Sequence, residues 1–354
     1  MTSIHKQRRD RIKQTVCSLN ADAFLVSSLV NVRYLCGFTG SNGFLVISKD
    51  GDFLITDSRY LEQGSEETNN EIAIFLSSGV RGLTELPVFN QIKTLVIESS
   101  SLTYSEFKFI EELVSDRLDL LPKNGLIEKI RAIKNRDEID NIRRAAALAD
   151  EALKYAFAVL RPGNTEAEVS WIIEKFLREN GADGLAFDSI VATGTNSSKP
   201  HHRADNTMIQ SGDPLVIDMG ASLNGYRSDI TRTVIVDGQD GLFQSIYDTV
   251  IEAQMAAIGA IREGISGNEL DSIAREVITS HGFGKNFSHG LGHGVGLDVH
   301  ELPMIVPSSE TLIKNGMIFT VEPGIYISGW GGVRIEDMIL LESDQVSLLT
   351  NHPK

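Results

Sequence analysis

The chain has 354 residues, enough for two domains, and its 42% hydrophobic and 23% charged residues are typical of a globular protein. The net charge of −15 argues against a nucleic-acid-binding surface, and no apolar run is long enough to span a membrane. The N-terminus has no apolar signal core, and the two cysteines give no disulfide framework. We therefore expect a cytoplasmic protein.

The first 125 residues alternate short apolar runs with helical spacing, which predicts a small α/β domain. The basic cluster from Lys6 to Lys13 has the spacing of a solvent-exposed helix face. Helical spacing also occurs in SRYLEQGSEE and SEFKFIEELV. The predicted strands are AFLVSS (23–28), NVRYLC (31–36), GFLVIS (43–48), FLITD (53–57), IAIFL (72–76) and TLVIE (94–98).

The pattern changes between residues 125 and 133, where a charged segment leads into a long amphipathic pattern. This pattern predicts a helix that ends before Pro162 and Gly163. We therefore divide the chain into an N-terminal domain, 1–128, and a C-terminal domain, 129–354.

The C-terminal domain repeats itself. Thr165 and Glu168 have the spacing of a capping box, and Glu269 lies near the start of a second predicted helix. GDPLVIDMG (212–220) matches GMIFTVEPG (316–324), with a carboxylate at the same place in each copy. Matching residues lie 101 positions apart: Arg161 and Arg262, Gly163 and Gly264, Glu168 and Glu269, and Gly181 and Gly282. We predict two duplicated α/β halves that face each other around a pseudo-twofold axis.

Each half offers a hairpin with two acidic residues. Asp218 ends an apolar strand, and Asp229 follows the turn at 223–225. Depending on the centre of that turn, the two are direct cross-strand partners or diagonal neighbours. Glu322 and Glu336 flank a glycine-rich turn centred near Gly329. Four carboxylates on two hairpins are hard ligands for divalent cations.

Five of the eight histidines fall in two short stretches, KPHHRAD and FSHGLGHGVGLDVHE. An isolated aspartate at a strand end is usually a turn residue, and an isolated histidine in a glycine-rich loop is usually a surface residue. The ordered and symmetric combination favours a metal site instead. One histidine with four carboxylates suits two divalent ions roughly 3.5 Å apart.

The segments VIDMGASLNGYRSDITRT, SHGLGHGVGLDVHE, FTVEPGIY and GGVRIEDM resemble those of the pita-bread metallopeptidases. Within these, the chain is most similar to the Xaa-Pro peptidases, which are aminopeptidase P and the Xaa-Pro dipeptidases (prolidases). NVRYLCGFTGSNG and TDSRY add a weaker match in the first domain. The resemblance implies an α/β (α+β) fold with a creatinase-like N-terminal domain and a pita-bread C-terminal domain.

The resemblance also implies the site residues. Asp218 would chelate one ion, Asp229 and Glu336 would bridge both, and His293 and Glu322 would complete the other shell. The cofactor would be two divalent ions, with Mn²⁺ the first choice and Co²⁺ or Zn²⁺ also compatible.

Further active-site positions of the family match His201, His289, His300 and Arg334. His201 is assigned from its position 17 residues before Asp218, and the neighbouring histidine, at 202, is the competing choice.

The implied reaction is attack of a hydroxide, shared by the two ions, on the carbonyl before proline. Glu322 would take and return the proton, since a carboxylate at that place can act as general base. His300 and His201 would donate to the developing oxyanion, and His289 would shape the proline pocket. Arg334 would support the metal cluster.

Several alternatives stay open. A dipeptidase restricted to Xaa-Pro would need a basic group for the proline carboxylate, and the sequence does not place one. Methionine aminopeptidase lacks an N-terminal domain of this type, and creatinase-like hydrolases lack the metal ligands. An inactive peptide-binding module would have lost ligands that this chain retains. The resemblance also implies a homodimer whose N-terminal domain mediates assembly and borders the neighbouring active site.

Overall fold

The computed structural model describes residues 3–114 and 117–354. Contacts within the chain divide it into two compact units, residues 1–130 and residues 131–354. In the described ranges, no helix is both long and apolar enough to cross a membrane.

The first unit contains a mixed six-stranded sheet. Its strands are β1 (Ala23–Val26), β2 (Phe44–Ser48), β3 (Gly51–Thr56), β4 (Ala73–Leu76), β5 (Thr94–Glu98) and β6 (Asp119–Lys123). They lie in the order β4-β3-β2-β1-β5-β6, and the central strand β1 is buried along its whole length. The helices are α1 (Ile4–Ser18), α2 (Leu29–Cys36), α3 (Leu61–Glu67), α4 (Tyr104–Val114) and the short α5 (Glu128–Arg131), which ends just past this unit.

One predicted strand of this unit is wrong. Residues 31–36 form most of α2, although their β-branched and aromatic content suggested a strand. Val32, Leu35 and Cys36 are buried at helical spacing, and Gly37 ends the helix with a φ of 86°. The strand β6 was not predicted, because it is short and contains a proline and charged residues at the sheet edge.

The sequence predicted that the basic cluster on α1 is an exposed face. The structure shows that only part of this face is exposed. Arg9 is only 2% exposed, because its guanidinium reaches into the unit. It donates to Asp52 at 2.9 Å, to Glu71 at 3.0 Å and to the Leu35 carbonyl at 2.9 Å. Each of the three guanidinium nitrogens of Arg9 donates a hydrogen bond. These bonds fix α1 to the sheet and to the turn after α3.

The second unit consists of four helices and thirteen short strands. The helices are α6 (Arg136–Val159), α7 (Glu166–Glu179), α8 (Gly241–Ala260) and α9 (Gly267–Ser280). The strands are β7 (Gly184–Leu185), β8 (Ile190–Thr193), β9 (Pro214–Met219), β10 (Ala221–Leu223), β11 (Tyr226–Arg227), β12 (Ile230–Ile235), β13 (Gly292–Gly294), β14 (Glu301–Ile305), β15 (Ile318–Val321), β16 (Gly324–Ile327), β17 (Gly331–Arg334), β18 (Asp337–Glu342) and β19 (Gln345–Leu348). Their sheets are β12-β9-β8, β11-β10-β7, β14-β13-β15-β18-β19 and β16-β17.

Matched backbone contacts in the two halves confirm the internal repeat. The Gly163 N–H donates to the Ile209 carbonyl, and the Gly264 N–H donates to the Ile313 carbonyl, both at 2.8 Å. α7 and α9 both begin with a capping box. Glycines at equivalent positions have φ between 83° and 96°, a range that favours glycine: Gly163 and Gly264, Gly181 and Gly282, and Gly212 and Gly316.

Gly220 joins β9 to β10, and a Cβ at this position would overlap the Ser228 carbonyl oxygen. Since that oxygen belongs to the backbone, Gly220→Ala should lower the free energy of unfolding by roughly 1–3 kcal/mol. The matched control is Gly259→Ala in α8, where a Cβ meets nothing within 4 Å and alanine favours the helix. Urea unfolding of both variants tests this. Equal stability of the two variants would contradict the close approach at Gly220.

Candidate metal centre

The hairpin of β9 and β12 carries the first two carboxylates. Asp218 pairs in register with Thr231, and the tight turn is centred on Asn224 and Gly225, with φ of 51° and 74°. Asp229 is therefore diagonal to Asp218, which is the second of the two registers that the sequence left open. Both carboxylates are buried.

The second hairpin carries the other two carboxylates. Gly324 pairs with Arg334 in β16 and β17, and the same register places Glu322 opposite Glu336. The turn is centred on Gly329, as predicted, with a φ of 82°. Each half of the repeat thus brings one acidic pair to the same region.

The four carboxylates strongly influence one another's ionisation. Burial, with the nearby carboxylates Glu336 and Asp218, raises the pKa of Asp229 well above its usual range. Burial, with the nearby carboxylates Glu322 and Asp218, likewise raises the pKa of Glu336 well above its usual range. Burial opposes ionisation of Glu322 as well, but a hydrogen bond with His293 and the charge of that imidazole hold its pKa at about 2. Ionisation of all four carboxylates therefore requires more positive charge than Arg334 and His293 supply.

Arg334 and Thr231 hold the outer oxygens of this cluster. Arg334 Nη2 donates to Asp218 Oδ2 at 2.6 Å, and its Nε donates to Thr231 Oγ1 at 3.1 Å. Thr231 Oγ1 in turn donates to Glu336 Oε2 at 2.6 Å. Thr231 was not predicted as a site residue, although it lies two residues after Asp229.

Two inward-facing oxygens have no such partner. Asp218 Oδ1 and Asp229 Oδ1 are buried and accept no hydrogen bond from any described residue. A buried carboxylate oxygen without a donor is costly unless a cation lies beside it. One ligand atom each from Asp229, His293 and Glu336 lies within 4.8 Å of the other two. Oxygen donors with one imidazole fit divalent cations.

His293 is oriented toward the carboxylates by the strand β13. Its Nδ1 donates to the Gly294 carbonyl at 3.2 Å, so Nε2 points to the cluster. Nε2 lies 3.2 Å from Glu322 Oε1 and 3.7 Å from Asp229 Oδ2. Thr320, two residues before Glu322, donates to Glu322 Oε1 at 3.1 Å and was also missed from the sequence.

A second group of possible metal ligands consists of Glu166, His202 and Asp205, whose ligand atoms lie within 4.8 Å of one another. Its central carboxylate is already satisfied: Glu166 accepts from the Thr193 N–H at 2.8 Å and the Asp205 N–H at 3.2 Å. It also lies 2.7 Å from His202 Nε2. This group is accounted for by hydrogen bonds without a cation.

The remaining predicted histidines surround the cluster. His289 Nδ1 donates to the Gly290 carbonyl at 2.7 Å, and its Nε2 accepts from the Tyr326 hydroxyl at 2.9 Å. The ring of His300 lies 4.1 Å from the ring of His293, centroid to centroid. His201 is exposed, whereas its neighbour His202 contacts Glu166.

A cavity of about 410 Å³ contains the cluster within the second unit. Its wall includes every site residue predicted from the sequence. The predicted residues that line it are His201, Asp218, Asp229, His289, His293, His300, Glu322, Arg334 and Glu336.

Two family models match the chain, Metallopeptidase family M24 over residues 140–343 and the Creatinase/Prolidase N-terminal domain over residues 8–133. The chain belongs to metallopeptidase family M24. The peptidase is therefore a hydrolase that works with divalent metal ions, and the predicted family and fold class are confirmed.

Relatives of this peptidase include two named dipeptidases and one aminopeptidase. It is 37% identical to the Xaa-Pro dipeptidase of Pyrococcus furiosus, with 98% of each chain covered. The solved Xaa-Pro dipeptidase from Bacillus anthracis is 38% identical, with 99% and 98% of the chains covered and a TM-score of 0.94. The X-Pro aminopeptidase from Thermotoga maritima is 34% identical, with 98% of each chain covered and a TM-score of 0.88.

Asp229→Asn should have opposite effects on the stability of the metal-free and the metal-loaded peptidase. Because burial and neighbouring charges raise the pKa of Asp229, ionising it above pH 4 costs stability in the metal-free fold. The variant without metal should therefore melt at or above the wild-type temperature. With Mn²⁺ at 100 times its wild-type Kd, wild type should gain about 2.7 kcal/mol, and the variant should gain much less.

Thermal unfolding at neutral pH, with chelator and with Mn²⁺, measures both effects. Asp140→Asn on the exposed face of α6 is the matched control, and it should gain as much from Mn²⁺ as wild type. A full metal-induced stabilisation of Asp229→Asn would rule out this carboxylate as a ligand.

Proposed function

We propose that this peptidase hydrolyses the peptide bond before proline and releases the N-terminal residue of an Xaa-Pro peptide. Five side chains would hold two divalent ions, with Mn²⁺ the first choice: Asp218, Asp229, His293, Glu322 and Glu336. The observation that carries this proposal concerns Asp218 Oδ1 and Asp229 Oδ1: both are buried and accept no hydrogen bond from residues 3–114 or 117–354, and all five side chains line the cavity. The names of the relatives support the specificity for proline.

When bound, the ions would lower the pKa of a shared water toward neutrality. Glu322 lines the same cavity beside His293, and it would take the proton from this water and return it during the reaction. His201 and His300 line the same cavity and would donate to the carbonyl oxygen of the substrate as negative charge develops on it. Arg334 holds Asp218, which keeps that ligand in one orientation.

A proline ring needs an apolar wall, and the cavity offers one. Phe187, Ile190, Val299 and Val306 line it beside the polar cluster. His289 is fixed by the Tyr326 hydroxyl and would shape the same pocket. Since a bond to proline has no N–H, recognition must come from the ring and from the groups beyond it.

The relatives comprise both dipeptidases and an aminopeptidase, so the length of the accepted peptide is a separate question. Release of the first residue from longer Xaa-Pro peptides is one candidate. A dipeptidase restricted to Xaa-Pro is the second, and one observation favours it. Arg203, an exposed arginine, lines the cavity and could hold a terminal carboxylate.

Peptide cleavage by the metal-stripped protein, measured after Mn²⁺ is added back, tests the proposed specificity for the bond before proline. We expect Mn²⁺ to restore hydrolysis of alanyl-proline but not of alanyl-alanine, because the apolar wall and the histidines select the proline ring. Release of alanine from Ala-Pro-Ala-Ala would identify an aminopeptidase. No hydrolysis of any of these peptides with Mn²⁺, Co²⁺ or Zn²⁺ would instead indicate an inactive peptide-binding module.

The homodimer and the cytoplasmic location are further proposals. We expect gel filtration with light scattering to give a dimer at micromolar concentration. A monomer under these conditions would contradict a shared interface and an active site bordered by a neighbouring chain.

A further inference from the structure

The position of His300 in the cavity depends on the backbone that carries it. The His300 imidazole is exposed and makes no hydrogen bond with any group in residues 3–114 and 117–354. It contacts the ring of His293, with 4.1 Å between the centroids. His289, by contrast, is hydrogen-bonded through both ring nitrogens. Whatever fixes the backbone at residue 300 therefore also fixes its imidazole.

That backbone belongs to an irregular loop between two strands. Residues 295–300 join β13 to β14, and Val299 and His300 both line the cavity. The next residue, Glu301, is buried. Its carboxylate lies against Gly296, where a Cβ would overlap it. Two neighbouring side chains thus have different surroundings: His300 is in the cavity, and Glu301 is packed under the loop.

Two buried cations at the start of the second unit hold Glu301. Lys134 Nζ lies 2.7 Å from Glu301 Oε1, and Arg131 Nη2 donates to Glu301 Oε2 at 2.6 Å. All three side chains are buried. Burial opposes ionisation of Glu301, but the charges of Lys134 and Arg131 outweigh it and lower the pKa of this carboxyl. Glu301 is therefore ionised and fixed from two sides.

The same network reaches the other end of the loop. Arg131 Nη2 also donates to Asp298 Oδ2 at 2.8 Å, so one guanidinium joins the residues on both sides of His300. The Lys134 N–H donates to the Gly316 carbonyl at 2.8 Å, which fixes the segment that carries both cations. Apolar groups can replace a buried ion network at little cost in stability, so its main consequence here is the fixed geometry of the loop.

We propose that Glu301, held by Arg131 and Lys134, is a positioning residue that keeps His300 in place to donate to the carbonyl oxygen of the substrate. The inference rests on the proposed cleavage before proline and on the role proposed there for His300. Negative charge develops on that oxygen only in the transition state, so a displaced donor slows the reaction more than it weakens substrate binding. Loss of the network should therefore lower kcat and leave KM nearly unchanged.

A double-mutant cycle between Glu301 and His300 tests this role, with the Mn²⁺-loaded protein and alanyl-proline. Glu301→Gln keeps the shape of the side chain but removes its charge, and it should lower kcat about tenfold with KM within about twofold. His300→Ala should lower kcat about a hundredfold. The double variant should have the kcat of His300→Ala alone, because Glu301 acts through His300. Glu310→Gln, at an exposed position after β14, is the matched control and should behave as wild type.

Two further variants separate positioning from folding. Glu301→Gln leaves the buried cations undercompensated, whereas Lys134→Met combined with Glu301→Gln removes one charge of each sign and should show the same loss of kcat. Glu301→Asp keeps the charge and should recover part of the loss. Equal losses of kcat from Glu301→Gln in the wild-type and His300→Ala backgrounds would overturn the positioning role, and so would a loss confined to KM.

Nuclear magnetic resonance of the histidine rings in the Zn²⁺-loaded protein provides a measurement that does not depend on turnover. Glu301→Gln should shift or broaden the His300 signals, identified by their absence in His300→Ala, and leave those of His289 unchanged. Unchanged His300 signals would overturn the inference even if cleavage before proline is observed. Altered His300 signals in a protein that cleaves no Xaa-Pro peptide would support the positioning by Glu301 and reject the proposed reaction.

Discussion

Four carboxylates that two hairpins bring together are the constraint on which the second unit depends. Asp218, Asp229 and Glu336 are buried and Glu322 is partly exposed, and the four cannot all be ionised side by side unless positive charge lies between them. Arg334 neutralises only the outer edge, because its guanidinium reaches one oxygen of Asp218. Asp218 Oδ1 and Asp229 Oδ1 accept no hydrogen bond from the described residues and are available to bind cations. The metal-free fold is therefore destabilised by repulsion between carboxylates, and bound metal would remove this repulsion.

The duplicated architecture supplies both the carboxylates and the support for the surrounding histidines. In the first half, Glu166 holds the segment that carries His201. In the second half, Asp271 pairs with Arg275 and accepts from the Leu291 N–H at 3.0 Å, while Arg275 donates to the His289 carbonyl at 2.8 Å. Each half therefore uses a buried acid near the start of its second helix to fix a histidine-bearing loop.

The clustering of four carboxylates and a histidine could be predicted from the sequence, because residue type, order and symmetry all pointed to one place. The register of the first hairpin could not, since two turn centres were compatible with the sequence until the positive φ of Asn224 decided between them. Local composition gave the wrong structure for residues 31–36, where burial against the sheet outweighed strand propensity. The contact of His202 with Glu166 joins residues 36 positions apart, and no local pattern indicates it.

Anomalous diffraction from crystals of the Mn²⁺-loaded protein, recorded near the manganese edge, would locate the bound ions. We expect two peaks roughly 3.5 Å apart, between the carboxylates of Asp229 and Glu336, with one beside His293. Peaks at Glu166 and His202 instead, or none in the cavity, would contradict the assignment of the buried carboxylates as the metal centre.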